Sequence, residues 1–435
     1  MGEIQQFTTS ALVKPALVGL ELNTKFKPKK QEMTEHLKHP GPLEGIRVLE
    51  LGQLIAGPFT GCLLGYYGAE VIKVELPGEG DPLRTWRLLD EGTSLWWRSV
   101  ARNKKCVTVN LRTEQGREIV RQLARESDVL IENFRPGTME RWGLGPDELV
   151  LDNPGLIYAR ISGYGQTGPY ASRPGFASVC EGVGGFRYIN GFPDRPPVRP
   201  NLSMGDTLAA MHAALGILMA CIRKLQDPEH RGQVVDVAIY EAVFNMLESI
   251  VPEYDRLGEI RQPSGSTLTG IVPTNTYLCG DDKHVIIGGN GDKIFQRLMG
   301  AMGRLEMAED SRFADNAGRV EHEAEIDTAI LEWTGTLTAD QVLEQLDEAE
   351  VPSGPIYSVA DMFEDAHFHA RELFEKVDVN GKPLIIPAIV PKLSESPGKT
   401  IWGGPEVGSH NDEIFGQLLG MSPDEMAALK EKGVI

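Results

Sequence analysis

Short apolar runs alternate with amphipathic runs along the first half of the chain. Residues 46–51 form an apolar run that predicts a strand, residues 57–67 suit a helix, and residues 70–75 predict a second strand. A strand, a helix and a strand in this order build a parallel sheet. The pattern therefore predicts an α/β fold.

Strands and helices continue to alternate until about residue 250, where the pattern changes to one typical of a hairpin followed by helices. Two short runs flank Gly280-Asp-Asp282 and predict a hairpin, which favours a second, smaller α+β domain in this region. Residues 1–42 show no sustained periodicity and are interpreted as an N-terminal arm. The other predicted elements are helices at 114–127, 206–225, 237–250, 292–302, 321–333 and 338–349, strands at 129–132, 156–162, 274–278 and 284–288, and a last helix from Pro423.

Composition and charge narrow the class of protein. The 435 residues are 41% hydrophobic and 24% charged, as in globular proteins, and the net charge of -19 argues against a nucleic-acid partner. No apolar run reaches the ~18 residues of a membrane span and the start lacks the pattern of a secretory signal, so we expect a cytoplasmic protein without a membrane partner. The five cysteines form no Cys-x-x-Cys pair and the histidines show no ligand spacing, so reduced thiols and no metal site are expected.

Asp206 is the strongest candidate for catalysis because it stands between a glycine and a long apolar run. An aspartate at a helix start is commonly a cap that accepts a backbone N–H. The positive end of the helix dipole also keeps such a carboxylate ionised, and an ionised carboxylate can act as a nucleophile. This segment alone leaves both roles open.

A series of short motifs gives the chain a family resemblance. The motifs are Pro42-Leu-Glu-Gly-Ile-Arg-Val-Leu-Glu-Leu51, Ile55-Ala-Gly-Pro58, Leu64-Gly-Tyr-Tyr-Gly-Ala-Glu-Val-Ile-Lys-Val-Glu75, Arg102-Asn-Lys-Lys105, Asp128-Val-Leu-Ile-Glu-Asn-Phe-Arg-Pro-Gly137, Ser162-Gly-Tyr-Gly-Gln-Thr-Gly-Pro169 and Gly232-Gln-Val-Val-Asp-Val-Ala-Ile-Tyr-Glu241. In this order they resemble the family III CoA-transferases, from about Leu43 to the carboxyl end.

The resemblance implies an architecture and a nucleophile. A large Rossmann-like domain would be built from both chain ends, with a first part at 43–235 and a return at 346–435. A linker helix and a smaller α+β domain would occupy 236–345, and two chains would interlock as a dimer. In this family the aspartate that matches Asp206 attacks the thioester, and an aspartyl-CoA thioester forms by way of a mixed anhydride.

Coenzyme A contacts are carried over where the motifs match, and some positions depart from the pattern of the formyl-CoA transferases. A glutamine there is Ile55 here and an arginine there is Leu76, whereas Arg112 and Arg173 replace lysines and keep the charge for phosphates. A mobile glycine segment of the family matches Gly288, Gly289 and Gly291, which are interpreted as a lid or as a plain turn. The implied CoA contacts are Ile55, Ala56, Leu76, Val109, Asn110, Arg112, Asn133, Phe134, Arg135, Arg141 and Arg173.

Three other functions are alternatives for this sequence. A dinucleotide-dependent oxidoreductase is disfavoured because residues 52–57 do not follow Gly-x-Gly-x-x-Gly. An α-methylacyl-CoA racemase needs a second base, and residues 174–177 contain neither histidine nor acid, while His212 projects to another face of the helix than Asp206. A non-catalytic CoA-binding subunit of a heteromeric transferase is the third alternative.

The acceptor acid is the least defined part of the prediction. Arg187, Arg195 and Arg199 precede Asp206 in a proline-rich loop, and an arginine can hold a second carboxylate by a bidentate pair. We therefore expect succinyl-CoA as donor and a dicarboxylic acceptor, with formate, oxalate or an aromatic succinate as alternatives. The chain is expected to pair with itself or with a paralogous subunit.

Overall fold

Six parallel strands form the main sheet in a computed structural model that describes residues 41–435. The predicted arm at 1–42 therefore lies almost wholly outside the described residues. Along the sheet the strands follow the order β5-β2-β1-β6-β7-β8, and each neighbouring pair is parallel. The strands are β1 Arg47–Glu50, β2 Glu70–Glu75, a short pair β3 Leu89–Asp90 and β4 Thr93–Ser94 outside this sheet, β5 Lys104–Thr108, β6 Val129–Glu132, β7 Ile157–Ser162 and β8 Val234–Ala238.

The order of the strands reverses between β1 and β6. Doubly wound sheets bind ligands in the crevice at this point, outside the carboxyl ends of the strands. The predicted α/β fold with a Rossmann-like parallel sheet is confirmed.

Helices cover both faces of the sheet. The helices in this part of the chain are α1 Ala56–Tyr66, a 3-10 helix Pro82–Thr85, α2 Leu95–Val100, α3 Glu114–Arg125, α4 Thr138–Arg141, α5 Pro146–Asp152, α6 Ala177–Val183, α7 Phe186–Ile189, α8 Met204–Gln226, α9 Ile239–Phe244 and α10 Ile250–Leu257. The helix predicted at 237–250 is wrong at both ends, because α9 begins at Ile239 and ends at Phe244, and α10 begins only at Ile250. Val234 and Val235 favour extended backbone, and β8 pairs with β7 before the helical segment begins at Ile239.

Successive side chains of β1 and β2 enter different cores because they point to opposite faces of the sheet. Leu49 and Ile72 pack in a core that also contains Phe415 and Ile435, so the carboxyl end of the chain returns to the main sheet. Val48 and Val71 point the other way, into a core shared with α1 and α8. Both ends of the described chain therefore build the same large unit.

A second core is built from residues between Val272 and Val351. Its sheet has the order β11-β10-β9, and the predicted hairpin is confirmed as an antiparallel pair. The proposed boundary at 235/236 falls inside β8, and β11 continues this smaller sheet beyond residue 345; the division into domains stays a prediction. The elements are β9 Thr274–Leu278, β10 His284–Gly288, α11 Asp292–Ala301, α12 Leu305–Ala308, a 3-10 helix Ser311–Phe313, α13 Asn316–Glu321, α14 Glu323–Thr334, α15 Ala339–Glu348 and β11 Ser353–Pro355.

The remaining elements lie near the carboxyl end. They are α16 Val359–Glu364, α17 Ala366–Ala370, an antiparallel pair β12 Phe374–Val379 and β13 Lys382–Pro387, a π-helix Asp412–Leu418 and α18 Pro423–Glu431. The last helix begins at Pro423 as predicted, with Ser422 as its cap.

Two further sequence expectations concern the cysteines and a membrane-spanning segment. All five cysteines are free thiols, as expected. Within residues 41–435, α8 is long and apolar enough to meet the length and composition of a membrane span, which differs from the expectation from the sequence. In the fold α8 packs against α1, α6, α9, β7 and β8, so it is a helix of this α/β core.

Candidate active site

The loops after β1 and β6 meet at the point where the strand order reverses. Asn133 Oδ1 accepts a hydrogen bond from the backbone N–H of Gln53 at 2.7 Å, and Asn133 Nδ2 donates to the Gln53 carbonyl at 2.8 Å. Ile55 follows as the residue before α1 and Phe134 follows Asn133, so two of the segments predicted to contact CoA are adjacent.

Buried charged side chains fix the loop after β1. Lys73 lies fully buried between Asp81, 2.8 Å away, and Glu50, 3.4 Å away, and it also donates to the Gly52 carbonyl. Asp81 Oδ1 in turn accepts the backbone N–H of Leu54, a residue with a φ of 63°. These contacts fix residues 52–54 at the crevice and hold the backbone of Leu54 in a strained conformation.

Asp206 lies in the first turn of α8 and does not cap the helix. The residue before the helix is Ser203, and within the described chain no hydrogen bond reaches the Asp206 carboxylate. The cap interpretation is therefore wrong, because the helix begins at Met204, before the aspartate. A partly buried carboxylate without a hydrogen-bond partner is available to react with a ligand.

The pKa of Asp206 is raised from 3.8 to about 6. Burial is the largest cause, the negative charge of Glu181 adds to it, and Arg199 acts in the opposite direction. The carboxylate is still mostly ionised at neutral pH, but the helix dipole does not keep its pKa low as the sequence analysis expected.

Glu181 is a neighbour of Asp206 that the sequence analysis missed. It lies fully buried on α6, and its Oε1 accepts the backbone N–H of Gly205 at 3.2 Å. Its Oε2 lies 3.1 Å from Arg199 Nε and 3.4 Å from Arg187 Nη2. An acid in the otherwise uncharged run Ala177–Val183 was the available signal.

The family model described as CoA-transferase family III matches residues 43–411. The chain belongs to this family. It is therefore an enzyme that acts on CoA thioesters, and a nicotinamide-dependent oxidoreductase is excluded.

Relatives and a solved structure agree over most of the chain. A Chloroflexus aurantiacus protein named succinyl-CoA–D-citramalate CoA-transferase is 50% identical and covers 91% of this chain and 98% of its own. The alpha subunit of succinyl-CoA–L-malate CoA-transferase from the same organism is 42% identical over 91% of this chain and 92% of its own, and the beta subunit is 41% identical over 91% and 98%. The crystal structure of a CAIB/BAIF family protein from Brucella suis has a TM-score of 0.77 and 35% identity, and covers 87% of this chain and 99% of that chain.

Most residues that the resemblance assigns to CoA follow the carboxyl ends of neighbouring strands. Ile55 and Ala56 follow β1, Leu76 follows β2, Val109 to Arg112 follow β5, and Asn133 to Arg135 follow β6. Ile55, Ala56 and Val109 are buried, so their side chains serve packing in this transferase.

The four arginines assigned to CoA are exposed and differ in their contacts. Arg141 donates to Thr138 at 2.9 Å, and Arg173 stacks on the Tyr170 ring at 3.7 Å. Arg112 and Arg135 extend from the loops after β5 and β6. Their guanidinium groups lie on the protein surface, where they are accessible to the phosphate groups of a ligand.

The glycine segment after β10 is anchored from inside the smaller core. The buried Arg319 donates to the Asn290 carbonyl at 2.7 Å and to Asp292 at 2.8 Å. Gly289 packs closely, since a Cβ there would lie 2.7 Å from Leu298. The segment 288–291 is thus tied at its middle, and its role as a lid stays a prediction.

The other predicted site residues are placed as follows. Arg195 stacks at 5.2 Å over Phe192, away from the Glu181 contacts, and His212 is satisfied by the Leu208 carbonyl and Asn245. Within residues 41–435, no group of three His, Cys, Asp or Glu side chains is placed to hold a metal ion.

Proposed function

We propose that this transferase moves CoA from succinyl-CoA to a small dicarboxylic acid, with Asp206 as the nucleophile. The carrying observation is the partly buried Asp206 carboxylate, without a hydrogen-bond partner in the described chain, at the start of α8. The names of the relatives support the substrates, since citramalate, malate and succinate are all dicarboxylates.

The chemistry proceeds through four acyl transfers. An Asp206 oxygen attacks the thioester carbonyl, the C–S bond breaks, and a mixed anhydride and a CoA thiolate form. The thiolate attacks the Asp206 acyl carbon and releases succinate, which leaves an aspartyl-CoA thioester. The acceptor carboxylate attacks that thioester, which gives a second mixed anhydride, between Asp206 and the acceptor, and releases the thiolate again. The thiolate then attacks the acceptor carbonyl of this anhydride, the acceptor-CoA thioester forms, and the Asp206 carboxylate is restored without net proton transfer.

Each intermediate is hydrolysable, so the site has to exclude water. Gly288, Gly289 and Gly291 are proposed to cover the reacting atoms. The CoA pantetheine and adenosine are proposed to follow the loops that contain Ile55, Ala56, Leu76, Val109, Asn110, Arg112, Asn133, Phe134, Arg135, Arg141 and Arg173.

Arg199 is proposed to bind the second carboxylate of the substrate. Its Nε faces Glu181, and the side chain is about one-third exposed, so its Nη groups can reach a ligand. Arg187 also pairs with Glu181, so the two arginines share the negative charge of one carboxylate.

A paired assembly is supported by an exposed apolar stripe on α8. Met211, Leu215, Met219, Ile222 and Leu225 recur at spacings of three and four and lie on one side of the helix. Such a surface favours a partner chain. We propose a homodimer or a pair with a paralogous subunit, interlocked as the family resemblance implies, in the cytoplasm.

The first experiment is the intact mass of the protein after incubation with succinyl-CoA, with and without hydroxylamine. We expect a CoA-containing adduct on the wild type, its loss with hydroxylamine, and no adduct on Asp206→Ala. Asp310→Asn, which changes an exposed carboxylate of the smaller core, is the control and should form the adduct.

Absence of an adduct with several acyl-CoAs, despite CoA binding, would contradict the proposal. Exchange of the α-proton of a 2-methylacyl-CoA in D₂O would then indicate the racemase. No exchange and no transfer would indicate a non-catalytic subunit.

A further inference from the structure

One buried carboxylate, Glu181, is shared by two arginines next to the nucleophile. Its Oε2 is 3.1 Å from Arg199 Nε and 3.4 Å from Arg187 Nη2, while its Oε1 accepts from the backbone N–H of Gly205. Gly205 directly precedes Asp206, so the same side chain fixes the helix start that carries the nucleophile and the two cations beside it.

Glu181 balances only one of the two guanidinium charges, and the Asp206 carboxylate, on which Arg199 acts, lies beside the other. Asp206 loses its negative charge when it is acylated, which leaves one positive charge for an incoming carboxylate. Arg187 Nε is buried without a hydrogen-bond partner in the described chain, so this guanidinium is held by charge more than by a full set of hydrogen bonds. An incoming carboxylate would complete the group, because arginine binds carboxylates through paired donors.

We propose that Glu181 is a positioning residue that holds Arg187 and Arg199 beside Asp206, and that this arginine pair selects acyl groups and acceptor acids that carry a second carboxylate. The inference rests on the proposed function and extends it from one arginine to a fixed group of three residues. It assigns to Glu181, which does not touch the substrate, the placement of the two arginines that select it.

The surroundings of Asp206 support this assignment. The charges that act on it within the described chain come from Glu181 on α6 and from Arg199, and Asp206 in turn acts on the Cys180 thiol. The other elements packed against α8 have their charges engaged elsewhere. On α9 Tyr240 contacts Glu241, on β8 Asp236 accepts from Gln166, on β7 Arg160 pairs with Glu132 and Glu140, and α1 carries no Asp, Glu, Lys, Arg or His.

Two variants should therefore have opposite electrostatic effects and the same effect on specificity. Glu181→Gln removes a negative charge, which lowers the pKa of Asp206. Arg199→Met removes a positive charge, which raises it. Both variants disturb the arginine pair, so both should lose preference for dicarboxylates.

The test uses the full-length enzyme with glutarate and butyrate as acceptors, which have similar chain lengths. We expect the ratio of kcat/KM for glutarate to that for butyrate to fall at least about tenfold in Glu181→Gln and Arg199→Met. Glu118→Gln, at another glutamate shared by two arginines on the surface of α3, should leave the ratio unchanged.

The second readout is the pH dependence of aspartyl-CoA formation with succinyl-CoA. The acid limb should lie near pH 6 in the wild type, move to lower pH in Glu181→Gln, and move to higher pH in Arg199→Met. Glu181→Asp, which keeps the charge, should restore part of the specificity ratio. If Glu181→Gln fails to fold, as circular dichroism would show, Arg187→Met and Arg199→Met still test the arginine pair.

Three outcomes separate this inference from the proposed function. An unchanged ratio in Arg187→Met and Arg199→Met overturns the selection of dicarboxylates. Acid limbs that move in the same direction in Glu181→Gln and Arg199→Met overturn the positioning role. In both cases Asp206-dependent adduct formation in the wild type would leave CoA transfer through Asp206 intact, whereas its absence would remove both the transfer and this inference.

Discussion

Asn133 holds Gln53 by two hydrogen bonds between its side-chain amide and the Gln53 backbone, at 2.7 and 2.8 Å. The pair joins the loop after β1 to the loop after β6 across the crevice where doubly wound sheets bind ligands. An amide side chain can make this two-sided contact because it carries both a donor and an acceptor.

Asn133→Ala should loosen the crevice that is proposed to bind CoA. Losing two hydrogen bonds frees the Gln53 backbone, so we expect the KM for succinyl-CoA to rise about tenfold, equal to about 1.4 kcal/mol. Steady-state kinetics measure this. Asn153→Ala removes a comparable pair of contacts, to the Ala124 and Ser127 carbonyls, and should leave the KM unchanged. An equal rise in both variants would contradict the prediction.

Asp206→Asn should stabilise the protein at neutral pH. The native pKa of about 6 lies above the value of 3.8 for a free aspartate, so the native state binds more protons between these values and stability falls as pH rises through this window. The neutral amide avoids the cost of the buried charge, and we expect a gain of about 1 to 3 kcal/mol at pH 7.5 that vanishes near pH 3.5. Urea unfolding at the two pH values measures it. A variant no more stable than the wild type at pH 7.5 would count against the raised pKa.

Lys73→Met should destabilise the large unit strongly. It leaves Asp81 with an uncompensated buried charge, while Glu50 keeps Lys104 at 2.8 Å, and we expect a cost of about 3 to 5 kcal/mol. Lys382→Met, which breaks an exposed pair with Glu91, should leave the stability nearly unchanged, because solvent screens such a pair. Chemical denaturation of both variants gives the comparison, and similar losses would refute it.

Arg319→Met should turn part of the transferase activity into hydrolysis. It releases Asn290 and Asp292, so the glycine segment moves more freely and water reaches the hydrolysable intermediates. We expect the ratio of acyl-CoA hydrolysis to transfer to rise about tenfold, measured by thiol release without and with acceptor. Arg312→Met breaks exposed pairs with Asp310 and Glu325 and is the control. An unchanged ratio in a folded Arg319→Met would argue against the lid.

Ile222→Glu should dissociate the proposed assembly. Ile222 is 56% exposed in the apolar stripe of α8, and a charge there cannot be buried against a partner chain without a cost of several kcal/mol. Light scattering on the eluting protein should show a single-chain mass for Ile222→Glu and a larger mass for the wild type. Leu151→Glu, at an exposed leucine on α5, is the matched control. A single-chain mass for the wild type would contradict the paired assembly.

The sequence by itself determined the parallel sheet, because local periodicity encodes which positions are buried. Strands 70–75 and 129–132 and the hairpin 274–278 with 284–288 have the predicted bounds. The start of α9 could not be predicted from the sequence. Val234–Ala238 becomes a strand because it pairs with β7, and β7 is more than 70 residues earlier in the chain.

The candidate site divides in the same way. Asp206 and the loops after the strands could be identified from motifs, because the type and spacing of residues in a motif are given directly by the sequence. The tertiary structure decided what surrounds Asp206: it brought buried Glu181 to the helix start, placed Arg199 and Arg187 against that glutamate, and raised the pKa of Asp206. Burial and charge pairing depend on distances between remote segments, and only the packed chain fixes those distances.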